Sequence, residues 1–338
     1  MIDYKFHSLQ MINQTDIIYL YIDNIYLMNF QQLEYIIAVD THRHFLQASQ
    51  KCFVTQATLS MMIQKLEEEL GVKIFDRSKK PVKPTDVGRK IIAQARRVVS
   101  EASRVKELIK EEKGEVSGEL RIGIIPTLAP YLLPLFLKQF VTGYPQVNLY
   151  ISEYTTATII KRLKAGQLDA GILATPLKDN SIKEQVLFYE KYFLYVNAKE
   201  KGFNKQYVLP ANIDINRLWL LEEGHCMRSQ ILNLCELKKQ HEMDEQLHYQ
   251  AGSIETLKNL VEKNFGITII PELATFNLNS SQKKRLRYFK APTPVREISI
   301  ATHRQYVKDR LIEVLAETIL SVLPEEMKTN RKGNVLDI

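Results

Sequence analysis

Hydrophobic residues recur at helical spacing from Phe30 onward. Leu33, Ile36 and Ile37 mark one apolar face, which predicts a helix. A short second segment follows over residues 45–50, and it ends at a break near Cys52. This part of the chain is therefore predicted to start with two closely spaced helical segments.

The next predicted helix begins at Thr55, a candidate N-cap, and stops at Gly71. Its apolar positions are expected to face a core: Leu59, Ile63, Leu66 and Leu70. Short polar side chains lie off that stripe. Helices in this succession predict a helix-turn-helix, whose second helix offers polar side chains to base edges in the major groove.

A basic segment with two prolines follows over residues 75–85. Proline excludes a helical backbone there, and the basic side chains are suited to phosphates. Taken alone, the run would be a solvated loop, but its place directly after a helix-turn-helix favours a DNA-binding wing. The residues predicted to contact DNA are Thr55, Gln56, Thr58, Ser60, Gln64, Lys65, Arg77, Lys79 and Lys80.

Thr85 and Asp86 open a long predicted helix that continues to about Glu112. Its apolar stripe, with charges between, has no core of its own nearby, so the helix is expected to pair with a copy of itself. The result would be a homodimer with two reading heads and a DNA site with twofold character. Residues 111–119 then form a predicted hinge.

Strand and helix patterns alternate after Gly118. Predicted strands at 120–125, 147–153 and 169–173 enclose helices at 128–141 and 158–166. This order predicts a parallel sheet covered on both faces, and more strand-like runs continue the α/β pattern. Those runs lie at 188–196, 218–221, 250–252, 267–270 and 298–301.

A ligand in such a fold binds at the carboxyl ends of strands, between two lobes. Thr127 and Thr156 both follow predicted strands, so both are candidates to line that crevice. The alternative for each is a threonine that only caps a helix.

The predicted organisation has five parts. Residues 1–27 are a leader that is expected not to be native, because a patterned segment begins afresh at Met28. The winged helix-turn-helix covers 28–86, and the linker or dimerisation helix with its hinge covers 87–117. A two-lobed α/β regulatory domain covers 118–325, with lobe I at 118–191 and 293–325 and lobe II at 192–292. Residues 326–338 form a tail.

The composition limits the classes of protein to which this chain can belong. A formal charge of +7 and a pI near 9.0 are compatible with a polyanionic partner. No apolar run is long enough to cross a bilayer, and three cysteines do not make a secreted disulfide framework. A cytoplasmic, reducing location is therefore predicted. The seven histidines are scattered, so neither a metal site nor a cofactor is expected.

Two cysteines, Cys226 and Cys235, lie nine residues apart in one polar segment. The flanking His225 and Arg228 could favour a reactive thiolate at Cys226, and a nearby cysteine can trap a sulfenic acid as a disulfide. The alternative is that both are small buried hydrophobes.

These features resemble the LysR-type transcriptional regulators over about residues 28–323. The resemblance rests on Thr55-Gln56-x-Thr58-Leu59-Ser60-x-x-Ile63-x-x-Leu66-Glu67-x-x-Leu70-Gly71-x-x-x-Phe75-x-Arg77, which looks like the DNA-binding signature of that family. Ala57 stands where proline is common, and a helix start tolerates either residue. The resemblance implies a two-lobed regulatory domain similar to periplasmic binding proteins.

The chain looks like the hydrogen-peroxide-sensing members of that family. The stretches that carry this likeness are His42–Phe45, Ile124–Thr127, Pro130–Pro134, Leu221–Arg228, Ser253–Leu257 and Gly266–Pro271. It implies that peroxide oxidises Cys226 and that Cys235 resolves it. The pocket and thiolate-tuning residues implied are Thr127, Thr156, His225, Arg228 and Arg296, with Thr155 as the alternative to Thr156.

The same resemblance implies an activator of oxidative-stress defence genes, with RNA polymerase, cellular thiol reductants, and a homodimer or homotetramer as partners. The sequence leaves two alternatives. One is a regulator that binds a small metabolite between the lobes, and the other is a thiol peroxidase, which would not need the helix-turn-helix or the long pairing helix.

A geometric conflict follows from the cysteine spacing. If residues 229–235 are helical, nine residues span about 13 Å along the axis. A disulfide needs Cα atoms within roughly 7 Å. We therefore expect the segment to refold when Cys226 and Cys235 are joined.

Overall fold

The computed structural model describes residues 28–112, 116–197, 206–214, 217–235, 251–263, 266–304, 309–329 and 334–336. These residues form two compact units, of which the first ends at Ser103 and the second begins at Arg104. The predicted leader at 1–27, part of the predicted hinge and position 250 lie outside the described residues.

The first unit is helical, with a two-stranded wing. Its helices are α1 (Phe30–His42), α2 (Phe45–Lys51), α3 (Gln56–Glu69) and the start of α4 (Asp86–Glu112). Strands β1 (Phe75–Asp76) and β2 (Lys83–Pro84) form an antiparallel pair. These elements confirm the predicted helix-turn-helix, wing and long helix.

Short polar residues fix the helix starts. The side chain of Thr55 accepts the N–H of Thr58 at 3.1 Å, which confirms Thr55 as the N-cap of α3. Thr85 accepts the N–H of Gly88 at 2.9 Å, which confirms the predicted cap of α4. Each bond satisfies a backbone donor that has no partner within its own helix.

The apolar stripe of α3 enters the core at three of its four predicted positions. Leu59, Ile63 and Leu66 are fully buried. The prediction for Leu70 is wrong, because Leu70 is 39% exposed. Leu70 is the C-cap of α3, so the chain leaves the helical path there and the 3.6-residue period no longer fixes which way the side chain points.

A buried carboxylate joins α3 to the wing. Glu67 has a fully buried side chain and accepts the N–H groups of Ile74 at 2.8 Å and Phe75 at 3.1 Å. Lys73 and Arg77 lie 3.4 and 3.5 Å from the same carboxylate. Glu67 thus fixes where the wing leaves the helix that precedes it.

The second unit is built from strands and helices that alternate. Its strands are β3 (Gly118–Ile124), β4 (Val147–Glu153), β5 (Ala170–Thr175), β6 (Ile182–Val196), β7 (Tyr207–Val208), β8 (Leu218–Trp219), β9 (Ile267–Pro271), β10 (Leu286–Phe289), β11 (Pro294–His303) and β12 (Asn334–Val335). Its helices are α5 (Ala129–Gly143), α6 (Thr156–Lys164), α7 (Cys226–Leu234), α8 (Ile254–Glu262), α9 (Ser280–Lys283), α10 (Asp309–Ser321) and α11 (Glu325–Thr329).

The sheet is mixed. Strand β3 pairs in parallel with β4 and β5, as the sequence predicts, whereas β11 is antiparallel to both β5 and β6. The predicted parallel pairing thus holds for β3, β4 and β5, but it does not extend to β6 and β11. Strand β6 has 15 residues and is shared between the lobes, since it pairs with β11 up to Lys191 and with β9 from Tyr192.

The end of the chain packs onto this sheet. Strand β12 runs parallel to the start of β11, and the N–H of Leu336 donates to the carbonyl of Val295 at 3.0 Å. Met327 and Leu336 are both buried. Within the described ranges, no helix is long and apolar enough to span a membrane.

Gly88, in the first turn of α4, lies directly against the backbone of Ile74, which precedes strand β1 of the wing. A Cβ atom at this position would lie 2.0 Å from the carbonyl oxygen of Ile74, a contact that only a backbone shift could relieve. We expect Gly88→Ala to lower the free energy of unfolding of the first unit by about 1–3 kcal/mol. Hydrogen exchange of α1 and α3 amides measures this change.

The matched control is Gly143→Ala at the end of α5, where a Cβ atom would meet nothing within 4 Å. We expect that variant to change stability by less than about 0.5 kcal/mol, as open surface positions do. Equal effects of the two substitutions would contradict the close-approach argument.

Candidate functional site

Helix α7 carries the two cysteines at its two ends. Cys226 is its first residue, His225 is the N-cap, and Cys235 is the C-cap. Both thiols are free, and both side chains are buried. A helix N-terminus favours negative charge, so Cys226 occupies the end of α7 where a thiolate is best accommodated.

A pocket of about 380 Å³ opens beside Cys226. Its lining includes the polar side chains of Thr156, His225 and Ser229 and the thiol of Cys226. The other lining residues are Ala157, Ile160, Pro176, Leu177, Lys178, Asp179 and Gly224. The pocket lies between α6, the segment after β5, and the start of α7, so it is formed where the predicted lobes face each other.

Thr156 is exceptional among the lining residues. Its hydroxyl is buried and has no hydrogen-bond partner. The neighbouring Thr155 is the N-cap of α6, and its hydroxyl pairs with that of Thr158 at 3.0 Å. A buried hydroxyl without a partner is costly, so the Thr156 hydroxyl is placed to bind a small polar ligand.

Arg296 forms a second, fully buried group of polar atoms. Its Nε and Nη2 donate to Glu190 Oε2 at 3.1 and 2.9 Å. Its Nη1 donates to the Thr127 hydroxyl at 3.0 Å, and Nη2 also reaches the Thr127 carbonyl at 3.3 Å. Burial acts to lower the pKa of Arg296, but the charge and hydrogen bond of Glu190, together with nearby Tyr192 and Cys226, raise that pKa overall.

The helix-cap alternative fails for both candidate threonines. Thr127 precedes Leu128, the residue that caps α5, and its hydroxyl accepts from Arg296. Thr156 is the first residue of α6 and not its cap. Thr156 lines the pocket beside Cys226, and Thr127 contacts Arg296. A role for either in ligand binding stays a prediction.

Cys226 connects the two polar groups. It lines the pocket with Thr156 and His225, and it is close enough to Arg296 and Tyr192 to interact with them electrostatically. Thr156 and His225 thus share the pocket with this thiol, while Thr127 is linked to it only through Arg296. Arg228 has a different position, since its guanidinium donates to the carbonyl of Leu221 at 2.9 Å and fixes the loop before α7.

The sequence did not reveal a chain of buried hydrogen bonds that runs through α7. The Tyr192 hydroxyl donates to Gln230 Oε1 at 2.7 Å, and Gln230 Nε2 donates to the carbonyl of Leu336 at 2.9 Å. Burial raises the pKa of Tyr192 far above its usual range, which keeps this donor protonated. The available signal was a glutamine four residues after Cys226, on the same helical face.

The cysteines cannot bond in this conformation. Nine residues of helix separate them by about 13 Å, whereas disulfide geometry needs Cα atoms within roughly 7 Å. The helix that the geometric argument required is present. Burial also raises the pKa of Cys235 to about 11, so its thiol is protonated and a poor nucleophile while α7 is intact.

The predicted DNA-contacting residues lie on or beside α3 and on the wing. Thr55, Gln56, Gln64, Lys65, Lys79 and Lys80 are exposed, while Thr58 and Ser60 are half-buried. Arg77 has a partly structural position, because it donates to the Ser60 hydroxyl at 3.0 Å and stacks 5.0 Å above the ring of Phe45. Two exposed apolar side chains of the same unit were not predicted from the sequence. They are Phe53, which is 96% exposed, and Met61.

The third cysteine, Cys52, belongs to the first unit. It is the C-cap of α2 and half-buried, and burial raises its pKa. Among the described residues, no group of three or more histidine, cysteine or acidic side chains is arranged to hold a metal ion.

Comparison with known proteins identifies relatives of both units. A model of the bacterial regulatory helix-turn-helix of the lysR family matches residues 30–89, and one of the LysR substrate binding domain matches residues 113–324. The chain is 34% identical over 309 residues to the hydrogen peroxide-inducible genes activator of Haemophilus influenzae. That match covers 90% of this chain and 99% of the relative.

Two further relatives carry the name OxyR. The DNA-binding transcriptional dual regulator OxyR of Escherichia coli is 38% identical over 247 residues, which is 73% of this chain and 80% of that protein. The solved structure of full-length OxyR from Pseudomonas aeruginosa, with one cysteine replaced by aspartate, matches with a TM-score of 0.76 at 34% identity. It covers 88% of this chain and 99% of that one.

The buried Cys235 thiol makes the reduced fold sensitive to alkali. Its pKa is about 11 in the folded state against 9.0 ordinarily, so the folded state holds this proton more tightly. That stabilisation is complete below about pH 9 and is lost as the pH rises to about 11. The unfolding free energy of the wild type should decline as the pH rises through this range. We expect this decline to be less steep in Cys235→Ala, by the slope that corresponds to about one bound proton.

Denaturant titrations of the reduced protein at a series of pH values measure the two slopes. Tyrosines that are buried in the folded state lose their protons in this range only in the unfolded chain, and they do so in both proteins. Only the difference between the two slopes therefore reports on Cys235. Parallel slopes would contradict the burial of this thiol.

Proposed function

The chain belongs to the LysR family of bacterial helix-turn-helix regulators, and within it we propose a transcription activator that senses hydrogen peroxide through Cys226 and Cys235. It acts by binding DNA and not as a peroxidase that turns over. The observation that carries the proposal is the buried, unpartnered hydroxyl of Thr156 beside Cys226. The names of the relatives point to the same activity.

Peroxide binding follows from the donors around the thiol. The Thr156 hydroxyl gains its missing partner when a peroxide oxygen binds. His225 lies on the same wall, and Thr127 and Arg296 form the fixed polar group near the sulfur. Donors held in place by the protein stabilise developing negative charge without the cost of reorienting. In this scheme Arg228 positions the loop before α7.

The first chemical step is attack of the Cys226 thiolate on one peroxide oxygen. A sulfur–oxygen bond forms and the oxygen–oxygen bond breaks. The departing hydroxide takes up a proton and leaves as water, and Cys226 becomes a sulfenic acid. Arg296, held in place by Glu190, is the nearby cation that offsets charge on the departing oxygen.

The second step joins the cysteines. The Cys235 sulfur attacks the sulfenic sulfur, the sulfur–oxygen bond breaks, and water leaves as the disulfide forms. Because Cα atoms about 13 Å apart cannot meet this requirement, α7 must lose its helical form first. Opening of α7 also exposes Cys235 to water and removes the burial that keeps its thiol protonated.

The remodelled segment then changes how subunits associate, and so how the paired heads lie on DNA. We propose a homodimer or homotetramer, joined through α4, that binds promoter DNA with twofold character. Within the described side chains of α4, Val105 is 63% exposed, which suits an apolar pairing face. RNA polymerase receives the signal, cytoplasmic thiol reductants restore the thiols, and oxidative-stress defence genes are the targets.

The cysteine assignments are tested by mass spectrometry after stoichiometric peroxide, with DNA footprinting on the same samples. We expect a 226–235 disulfide and a shifted footprint in the wild type. Cys226→Ser should abolish both responses, and Cys235→Ser should leave Cys226 as a sulfenic acid or a more oxidised form. The matched control, Cys52→Ser, should behave as the wild type does.

Unmodified Cys226 with an unchanged footprint would refute the proposal. The metabolite-binding alternative would then be favoured, because a carboxylate or other small ligand in the pocket would have to supply the signal.

The orphan hydroxyl is tested by Thr156→Val, which keeps the shape and removes the donor. We expect the rate constant for oxidation of Cys226 by peroxide to fall about 10- to 100-fold. Stability in the reduced state should hold or rise, since an unsatisfied buried hydroxyl is removed. Stopped-flow kinetics and denaturant titration measure the two quantities.

The matched control is Thr155→Val, one residue earlier, whose hydroxyl pairs with Thr158. It should leave the peroxide rate constant within about twofold while costing roughly 1 kcal/mol of stability through the lost hydrogen bond. An unchanged rate constant in Thr156→Val would remove Thr156 from the peroxide site.

A further inference from the structure

The pocket beside Cys226 is much larger than hydrogen peroxide needs. Its volume is about 380 Å³, whereas one water molecule accounts for about 30 Å³ of liquid. Hydrogen peroxide, with two oxygen atoms, therefore fills a small part of the space. Pockets of this size hold small organic molecules.

Four apolar residues line the same pocket. Ala157 and Ile160 belong to α6, and Pro176 and Leu177 belong to the segment after β5, which also contributes the charged Lys178 and Asp179. We call Thr156, His225, Cys226 and Ser229 the polar corner, because they supply hydroxyl, imidazole and thiol groups. One pocket thus combines the reactive sulfur with apolar surface.

We infer that this pocket also takes organic hydroperoxides, ROOH, with the peroxide group in the polar corner and the apolar substituent R against the Ala157–Ile160 wall. This inference rests on the proposed function of Cys226. Hydrogen peroxide has no group that could use the apolar wall, whereas a hydrocarbon substituent gains from leaving water.

The chemistry parallels that of hydrogen peroxide. The Cys226 thiolate attacks the terminal oxygen of ROOH, a sulfur–oxygen bond forms, and the oxygen–oxygen bond breaks. The alkoxide RO⁻ leaves, takes up a proton and departs as the alcohol ROH. Cys226 is oxidised to the sulfenic acid, the hydroperoxide is reduced, and Cys235 completes the disulfide with loss of water.

Ala157 offers a direct test of the apolar space. It lines the pocket from an exposed position on α6, so a larger apolar side chain there reduces pocket volume with little effect on the core. The rate constants for oxidation of Cys226 in the reduced full-length protein are measured with hydrogen peroxide and with cumene hydroperoxide, in the wild type and in Ala157→Leu.

We expect Ala157→Leu to slow the reaction with cumene hydroperoxide about tenfold, the scale of a mismatch in an apolar pocket. The reaction with hydrogen peroxide should change by much less. The control is Lys161→Leu, on the same helix, exposed and absent from the lining, which should change neither rate constant.

Two outcomes separate the inference from its premise. If wild-type Cys226 reacts with hydrogen peroxide but Ala157→Leu changes both rate constants by the same factor, or changes neither, the apolar space does not bind R and the inference is overturned. If wild-type Cys226 reacts with neither compound, the proposed function fails and the inference fails with it.

Discussion

The ion pair between Arg296 and Glu190 is the fixed point of the second unit. The two residues are direct cross-strand partners on β11 and β6, and both side chains are completely buried. An unpaired charge at such a depth costs several kcal/mol, so neither strand can shift without the other. Thr127 and the N–H of Leu273 complete the group, and they belong to lobe I and lobe II respectively. One interaction therefore sets the register of the central strands, the junction of the lobes and the orientation of the cation nearest Cys226.

Helix α7, which carries the two cysteines at its ends, is by contrast held in place by few interactions. Helix α7 has nine residues, which is too short to be stable by itself in water, so it depends on what it packs against. Cys226, Met227, Gln230 and Ile231 supply that packing, and Gln230 adds hydrogen bonds to Tyr192 and Leu336. A rigid anion-stabilising group thus adjoins a helix whose fold rests on a few contacts. Oxidation of Cys226 alters one of those contacts, while the Arg296 group has no reason to move.

The limits of prediction from sequence follow from the range of each interaction. Period and caps predict α3 and α4 almost to the residue, because Thr55 and Thr85 act within three positions. The antiparallel pairing of β6 with β11 joins residues more than a hundred positions apart, such as Glu190 and Arg296, and no local pattern encodes it. The choice of Thr156 over Thr155 also depends on which side chain meets α7 across the pocket. Cys226 and Cys235 stand out in the sequence, and Thr127 is a candidate because it follows a predicted strand. Arg296 is predicted only by the family resemblance, and its hydrogen bond to Thr127 becomes visible only in the fold.

In the proposed mechanism, the reaction with peroxide and the change of conformation depend on different parts of the second unit. In this mechanism, the groups that act on the bound peroxide are ordered before it arrives, so they would affect how fast Cys226 is oxidised. The switch depends on α7, because Cys235 cannot reach Cys226 until the helix opens. Burial of Cys235 keeps its thiol protonated until then. Changes in the pocket should therefore alter sensitivity without altering the oxidised state, and changes at the packing contacts of α7 should alter the conversion of a sulfenic acid to a disulfide. In this scheme sensing and switching meet at the start of α7, where Cys226 and Ser229 belong to both the pocket and the short helix.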